Sequence, residues 1–275
     1  MKNDKEIKRV VKDKYAEIAR RGGEKGCCAR DSCCDVDKGV LSSTFSDSYD
    51  GMEGYLPEAD LGLGCGLPVK FAGLREGQTV VDLGSGAGND VFVARTAVGR
   101  SGRVIGVDMT QDMIEKARLN NARLGYDNVE FRLGDIEELP VADGTADVVV
   151  SNCVINLVPD KKKAFSEIFR ILKPRAHFCI SDIVLEGELP DELVELAELY
   201  AGCVAGALQQ NDCIEVIKAA GFSKVEIKDA KRIDLAKDIL KGHLSKDTLD
   251  AISKSDVAIM SITVVGHKPG FKGKS

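Results

Sequence analysis

The stretch VVDLGSGAGND, residues 80–90, decides the reading of this chain. Val80, Val81 and Leu83 form an apolar run of strand type, and Gly84, Gly86 and Gly88 follow at alternate positions. A chain that must turn tightly and let a ligand touch its backbone has no room for a Cβ there. Glycines directly after a strand therefore predict a ligand-binding strand-to-helix turn.

Outward from that turn the pattern alternates. QTVVDLG (78–84) reads as a buried strand, GAGNDVFVARTAV (86–98) as the helix after it and GRVIGVD (102–108) as a second strand. TQDMIEKARLNNARLG (110–125) is a second helix, with Thr110 placed to cap its start, Met113, Ala117 and Leu124 along one face, and Gly125 as its stop. NVEFRLGD (128–135), ADVVVSN (146–152) and HFCISDIVL (177–185) continue as strands. Between the last two, KKKAFSEIFRIL (161–172) carries the helical stripe Phe165, Ile168, Phe169 and Leu172, ended by Pro174. Strands alternating with helices imply an α/β fold with a doubly wound parallel sheet, right-handed crossovers and helices on both faces.

The flanks differ. Ile7, Val10, Val11 and Ile18 suit an amphipathic helix over residues 4–20, and residues 22–66 are rich in Gly, Ser, Asp and Cys with little periodicity. An irregular segment of that length is usually functional or mobile. After Leu185, PDELVELAELYAGCVAGAL (190–208) and residues 234–254 read as helices of a cap over the ligand edge. NDCIEVIKAAGF (211–222) reads as a further helix, and KVEIKDAKRI (224–233) and SITVVGHKP (261–269) as strands that rejoin the sheet. The expected division is an N-terminal helix with a Cys-rich segment (1–66), a ligand-binding core (67–185) and a helical cap with late strands returning to the core (186–275).

Composition narrows the function. The 275 residues are 44% hydrophobic and 30% charged, with a mean hydropathy of -0.10, as in soluble globular proteins. A net charge of -6 offers no basic footprint for a nucleic-acid backbone. The first 21 residues are charged throughout, and no later run approaches the roughly 20 apolar residues of a membrane span. A cytoplasmic location is expected, where thiols stay reduced and cysteines serve metals or redox chemistry more often than cross-links. The chain has nine cysteines, an odd number that excludes complete internal pairing.

The ligand is narrowed by two carboxylates. Asp108 closes the second strand about 20 residues beyond the turn, where a ribose diol would lie. Asn89 stands where the dinucleotide fingerprint has its third glycine, and Asp82 puts negative charge where a pyrophosphate prefers none but an amino-acid ammonium is welcome. The pattern resembles the class I methyltransferases that bind S-adenosylmethionine, with Asp82-x-Gly84-x-Gly86-x-Gly88 as their first motif and a Rossmann-like sheet. By that resemblance Asp108 holds the ribose hydroxyls, Met109 belongs to the same cofactor set, and Asp135 with Ile136 in GDIEELP (134–140) flanks the adenine.

Three cysteines sharpen this. Cys65 lies in GYLPEADLGLGCG (54–66), Cys153 in SNCVINLVPDK (151–161) and Cys203 in AGCVAGAL (201–208). Singly, each would pass for a small buried hydrophobe. Cys153, however, follows the fourth strand at the edge where such sheets bind ligands. The three contexts resemble the arsenite methyltransferase family over roughly residues 35–268. The resemblance implies that Cys153 and Cys203 bind trivalent arsenic, and that Cys65 joins an N-terminal cysteine in binding or thiol-disulfide cycling. By spacing, Cys33 or Cys34 looks like that partner. An external thioredoxin- or glutathione-type thiol reductant would then serve as co-substrate.

Other readings stay open. Cys27, Cys28, Cys33 and Cys34 could form a four-thiolate zinc site. A methyltransferase of another small molecule, such as a quinone-type carbon acceptor, would not need Cys65, Cys153 and Cys203 together, and a non-enzymatic metalloid or zinc sensor would not need the glycine turn. Cys179 and Cys213 read as core residues; His177, His243 and His267 show no ligand spacing; Lys161, Lys162 and Lys163 read as a solvated helix start.

Overall fold

The computed structural model describes residues 4–21, 47–188, 204, 206–233 and 258–270. The first strand β1 (Thr79–Leu83) is followed by helix α3 (Asn89–Val98), β2 (Arg103–Asp108), α4 (Gln111–Leu124), β3 (Val129–Leu133) and β4 (Ala146–Asn152). A 3-10 turn (Ile155–Leu157) leads to α5 (Lys161–Ile171), β5 (Leu172–Glu186), α6 (Gln210–Ala219), β6 (Ser223–Arg232) and β7 (Ala258–His267). Ahead of this core stand α1 (Asp4–Arg21) and the short α2 (Pro68–Phe71). Residues 47–66 contain neither helix nor strand.

All seven strands share one sheet in the order β3-β2-β1-β4-β5-β7-β6. The first five run parallel, whereas β7 inserts antiparallel between β5 and β6. The late strands thus rejoin the sheet as expected. Because the order reverses between β1 and β4, their carboxyl ends open a crevice, the place where doubly wound sheets bind ligands.

Strand alternation divides the core. Val81, Leu83, Ile105, Val107 and Val149 face one layer with Phe165, Ile168 and Ile171 of α5 and Ile217 of α6. Val80, Val104, Val148 and Val150 face the other, with Val91 and Phe92 of α3 and Ile114 and Ala117 of α4. Helices cover both faces.

Some local readings change. Thr110 sits at the start of α4 but its side chain makes no capping bond to the helix; its N–H instead donates to the Asp108 carboxylate. Strand β5 begins at Leu172 rather than His177, directly after α5, with a register shift opposite Ala146 and Val148 that accommodates Pro174. Lys161 is not solvated like Lys162 and Lys163: its ammonium turns back to donate to the Asn156 and Val158 carbonyls. No helix among the described residues is long and apolar enough to cross a membrane.

Candidate active site

The glycine turn is built from backbone bonds. The Gly84 and Ser85 N–H groups donate to the Val107 carbonyl of β2, Gly88 N–H donates to the Ser85 carbonyl, and the Asn120 amide of α4 donates to the Ala87 carbonyl. Gly84, Gly86 and Gly88 take φ values of 68°, 51° and 101°, a region costly for any residue with a Cβ. Asp108 closes the turn from the next strand, one oxygen accepting from Gly86 N–H at 3.0 Å and the other from Thr110 N–H at 2.8 Å.

This turn forms one side of a cleft that is open to solvent. Of the residues expected at a cofactor, Asp82, Gly84, Gly86, Asp108, Met109, Asp135 and Ile136 all line it. Gly88 does not. It sits behind the turn, where a Cβ would come within 2.9 Å of the Phe92 and Phe131 rings, so its glycine serves helix packing.

The cleft floor is acidic. Burial pushes the Asp82 carboxyl well above the usual carboxylate range, helped by the neighbouring charges of Asp90 and Asp108. Burial also raises Asp90, against hydrogen bonds from Tyr49 and Asn152, and raises Asp108, against those from Thr110 and Gly86. Among the described residues no cation forms an ion pair with any of the three. Two further cleft residues, Ser85 and Asn89, hold buried oxygens (Oγ and Oδ1) without a hydrogen-bond partner. Uncompensated buried acid and orphaned polar atoms suit a ligand carrying positive charge and hydrogen-bonding groups.

At the end of β4, Cys153 also lines the cleft. Its φ of 57° is left-handed, an unusual strain for a residue other than glycine, and its N–H donates to the Ser181 carbonyl of β5 at 2.8 Å. Cys65 is not on the cleft wall but stands behind Cys153, bonded to it as a disulfide with the Cα atoms 5.7 Å apart. The expected partner of Cys65 was Cys33 or Cys34; the described disulfide is with Cys153 instead. Asn152 explains the approach. Its Oδ1 accepts from the Cys65 and Gly66 N–H groups at 3.0 and 3.3 Å, and its Nδ2 donates to the Gly66 carbonyl at 2.7 Å. Gly66 allows this closeness, since a Cβ there would lie 2.7 Å from the Ser181 side chain. The sulfurs of Cys65 and Cys153 and a carboxylate oxygen of Asp182 all lie within 4.8 Å of one another, and all three residues are buried. Cys203, Cys33 and Cys34, together with Cys27, Cys28 and the zinc alternative, lie outside the described residues. Cys179 is fully buried, its thiol donating to the Pro68 carbonyl, and Cys213 packs on the core.

Sequence reasoning missed several residues. Tyr49 donates to Asp90 at 2.6 Å and accepts from Asn152 at 2.9 Å, tying the Cys65 loop to α3. Asn152 carried a usable signal, a polar residue at a strand's carboxyl end beside Cys153. Asp182, a lone acid in the apolar run CISDIVL, carried another. Lys8, Val11 and Tyr15 of α1 also line the cleft, which no local pattern announced.

Comparison with known proteins places this geometry. A family model described as a methyltransferase domain matches residues 74–221. An arsenite methyltransferase of Halobacterium salinarum is 42% identical over 238 residues, covering 82% of this chain and 60% of the relative. One of Aquipseudomonas alcaligenes is 41% identical over 188 residues, covering 66% of this chain and 54% of the relative. The chain thus spans a little over half the length of these curated relatives. The crystal structure of an arsenic(III) S-adenosylmethionine methyltransferase from Chlamydomonas reinhardtii is 32% identical with a TM-score of 0.63, over 86% of this chain and 75% of that one. On these identities and on the structural match, with a glycine turn, two strand-end carboxylates and a cysteine on one cleft, the chain belongs to the arsenite methyltransferase family.

Proposed function

We propose that this protein transfers methyl groups from S-adenosylmethionine to trivalent arsenic held by its cysteine thiolates. The observation that carries the reading is that Cys153, with Cys65 bonded behind it, lines the same cleft as the unpaired acids Asp82 and Asp108. When bound, S-adenosylmethionine supplies an electrophilic methyl group on a sulfonium sulfur. Asp82 would take its ammonium, Asp108 its ribose hydroxyls, and Met109, Asp135 and Ile136 its adenine. The orphaned Ser85 and Asn89 oxygens fit the remaining donors of such a ligand.

Arsenic(III) is soft and prefers thiolates. Reduction of the Cys65–Cys153 disulfide by two electrons and two protons yields two thiols. With Cys203, three thiols displace three waters from arsenous acid. Arsenic bound this way keeps a lone pair that attacks the methyl carbon, so no general base is required and the chain's task is to position the thiolates and exclude water. Methylation formally oxidises arsenic to the pentavalent state; two thiolates return the electrons by joining as a disulfide. The cross-link between Cys65 and Cys153 is the oxidised form such a step leaves, with Cys33 or Cys34 as an alternative partner. A thioredoxin- or glutathione-type donor, as found in a reducing cytoplasm, would reopen it. An organic carbon acceptor would make no use of these thiols.

Reduced protein incubated with arsenite, a thiol reductant and S-adenosylmethionine labelled in its methyl group should release labelled methylarsenicals. Absence of labelled arsenic from protein that binds S-adenosylhomocysteine normally would overturn the reading in favour of an organic acceptor.

A further inference from the structure

Helix α1 lies outside the matched methyltransferase domain, yet it reaches the cleft. It lies against α4, with Ala16 and Ala19 buried and Arg20 paired to Asp112 at 3.1 Å. Val11 and Tyr15 face the cleft from this helix, beside Lys8. The Lys8 ammonium reaches the loop after β3, 2.6 Å from Asp135 and 2.9 Å from Glu137. Both carboxylates are otherwise engaged at home: Asp135 accepts from Glu137 N–H at 2.9 Å, and Glu137 accepts from Asp160 N–H at 3.1 Å. One ammonium therefore ties α1 to the Asp135–Ile136 segment and, through Glu137, to the start of α5. Burial disfavours its charge, but the hydrogen bonds and charges of the two carboxylates outweigh this and hold the Lys8 pKa above its ordinary value.

We infer that α1 is part of the cofactor site, with Lys8 as a positioning residue that latches Val11 and Tyr15 over the Asp135 side of the cleft, so that retention of the bound nucleoside depends on the Lys8 ion pairs. The inference rests on the proposed use of this cleft for S-adenosylmethionine. Val11 and Tyr15 line the same cleft as the glycine turn, so a ligand held there is covered in part by a separate helix that must loosen before the ligand can leave. The latch therefore acts on dissociation more than on association.

The test uses S-adenosylhomocysteine binding to the full chain by calorimetry and stopped flow. Lys8→Met should weaken binding on the order of fivefold to tenfold, chiefly through faster dissociation, the scale expected for two partly desolvated ion pairs sharing one charge. Lys8→Arg should restore most of the affinity, and Lys12→Met, on the exposed face of α1, should leave it unchanged. In the wild type, S-adenosylhomocysteine should slow amide hydrogen exchange over residues 4–21. Unchanged affinity and dissociation in folded Lys8→Met, or α1 amides indifferent to ligand in the wild type, would overturn the inference. Failure of the wild type to bind S-adenosylhomocysteine at all would instead overturn the reading of the cleft.

Discussion

Asn152→Ala tests the link between the two halves of the site. The amide serves three buried backbone groups, the N–H groups of Cys65 and Gly66 and the carbonyl of Gly66, and also donates to Tyr49 and toward Asp90 at 3.3 Å. Tyr49 keeps its bond to Asp90 Oδ1 after the truncation and Asp90 Oδ2 loses a long contact, so the main loss falls on the three backbone groups. At about 1 kcal/mol for each group left unsatisfied, the variant should lose about 3 kcal/mol of stability. The functional loss should be larger than the stability loss implies. With Asn152 gone and the disulfide reduced, the Ser261 hydroxyl on the Cys65 carbonyl is, among the described residues, the hydrogen bond left on the Cys65 backbone, and a misplacement of about 1 Å can cost on the order of a hundredfold in rate. Urea unfolding gives the first quantity, and initial rates of arsenite methylation on folded protein give the second. Asn152→Asp keeps an acceptor for the two N–H groups but places a second acid beside Asp90, so it should recover stability in mild acid and not at neutral pH. An alanine variant within about 0.5 kcal/mol of wild type and methylating at the wild-type rate would refute the reasoning.

Four further outcomes are expected. Asp108→Ala frees the Gly86 and Thr110 N–H groups as well as the expected ribose acceptor, so calorimetry should show S-adenosylhomocysteine binding weakened by about tenfold or more, with a melting point lowered by the loss of two charge-assisted bonds; unchanged affinity defeats the assignment. Cys153→Ser and Cys203→Ser should abolish arsenite methylation while retaining S-adenosylhomocysteine binding, whereas Cys179→Ser, whose thiol donates to the Pro68 carbonyl, should stay active because a hydroxyl can make the same bond. Peptide mapping after one turnover without reductant should find Cys65 in a disulfide, with Cys153 or with Cys33 or Cys34, and a protein that turns over with Cys65 fully alkylatable removes it from electron return. Finally, burial holds the Asp182 carboxyl up to about 6, against hydrogen bonds from Ile183 and Asn156, while the unfolded chain loses that proton near the ordinary carboxylate value of 3.8. Between those values the folded state binds more protons, so this residue's contribution to stability falls as pH rises from about 4 to about 6; urea midpoints of Asp182→Asn should show a shallower fall across that window than wild type.

The glycine turn, the five parallel strands and the helices between them were legible because each signal is local. A strand that ends in Asp82-x-Gly84 and a helix that stops at Gly125 declare themselves within a few residues, through backbone sterics and the 3.6- and 2-residue periods of burial. The acids at the strand ends were legible for the same reason, since a carboxylate at the carboxyl end of a parallel strand has few structural uses.

What the tertiary structure alone decided depends on distance along the chain. Cys65 and Cys153 are 88 residues apart, and their pairing follows from Asn152 and Gly66 bringing a loop without periodicity against the end of β4. Lys8 and Asp135 are 127 residues apart, and no pattern within α1 could show that its half-buried face lines a cleft as well as packing on a neighbouring helix. The antiparallel insertion of β7 between β5 and β6 belongs with these. A single sequence records which residues could pay for burial or charge, but not which partner they meet, because that choice is made by the sheet order that brings remote strand ends together.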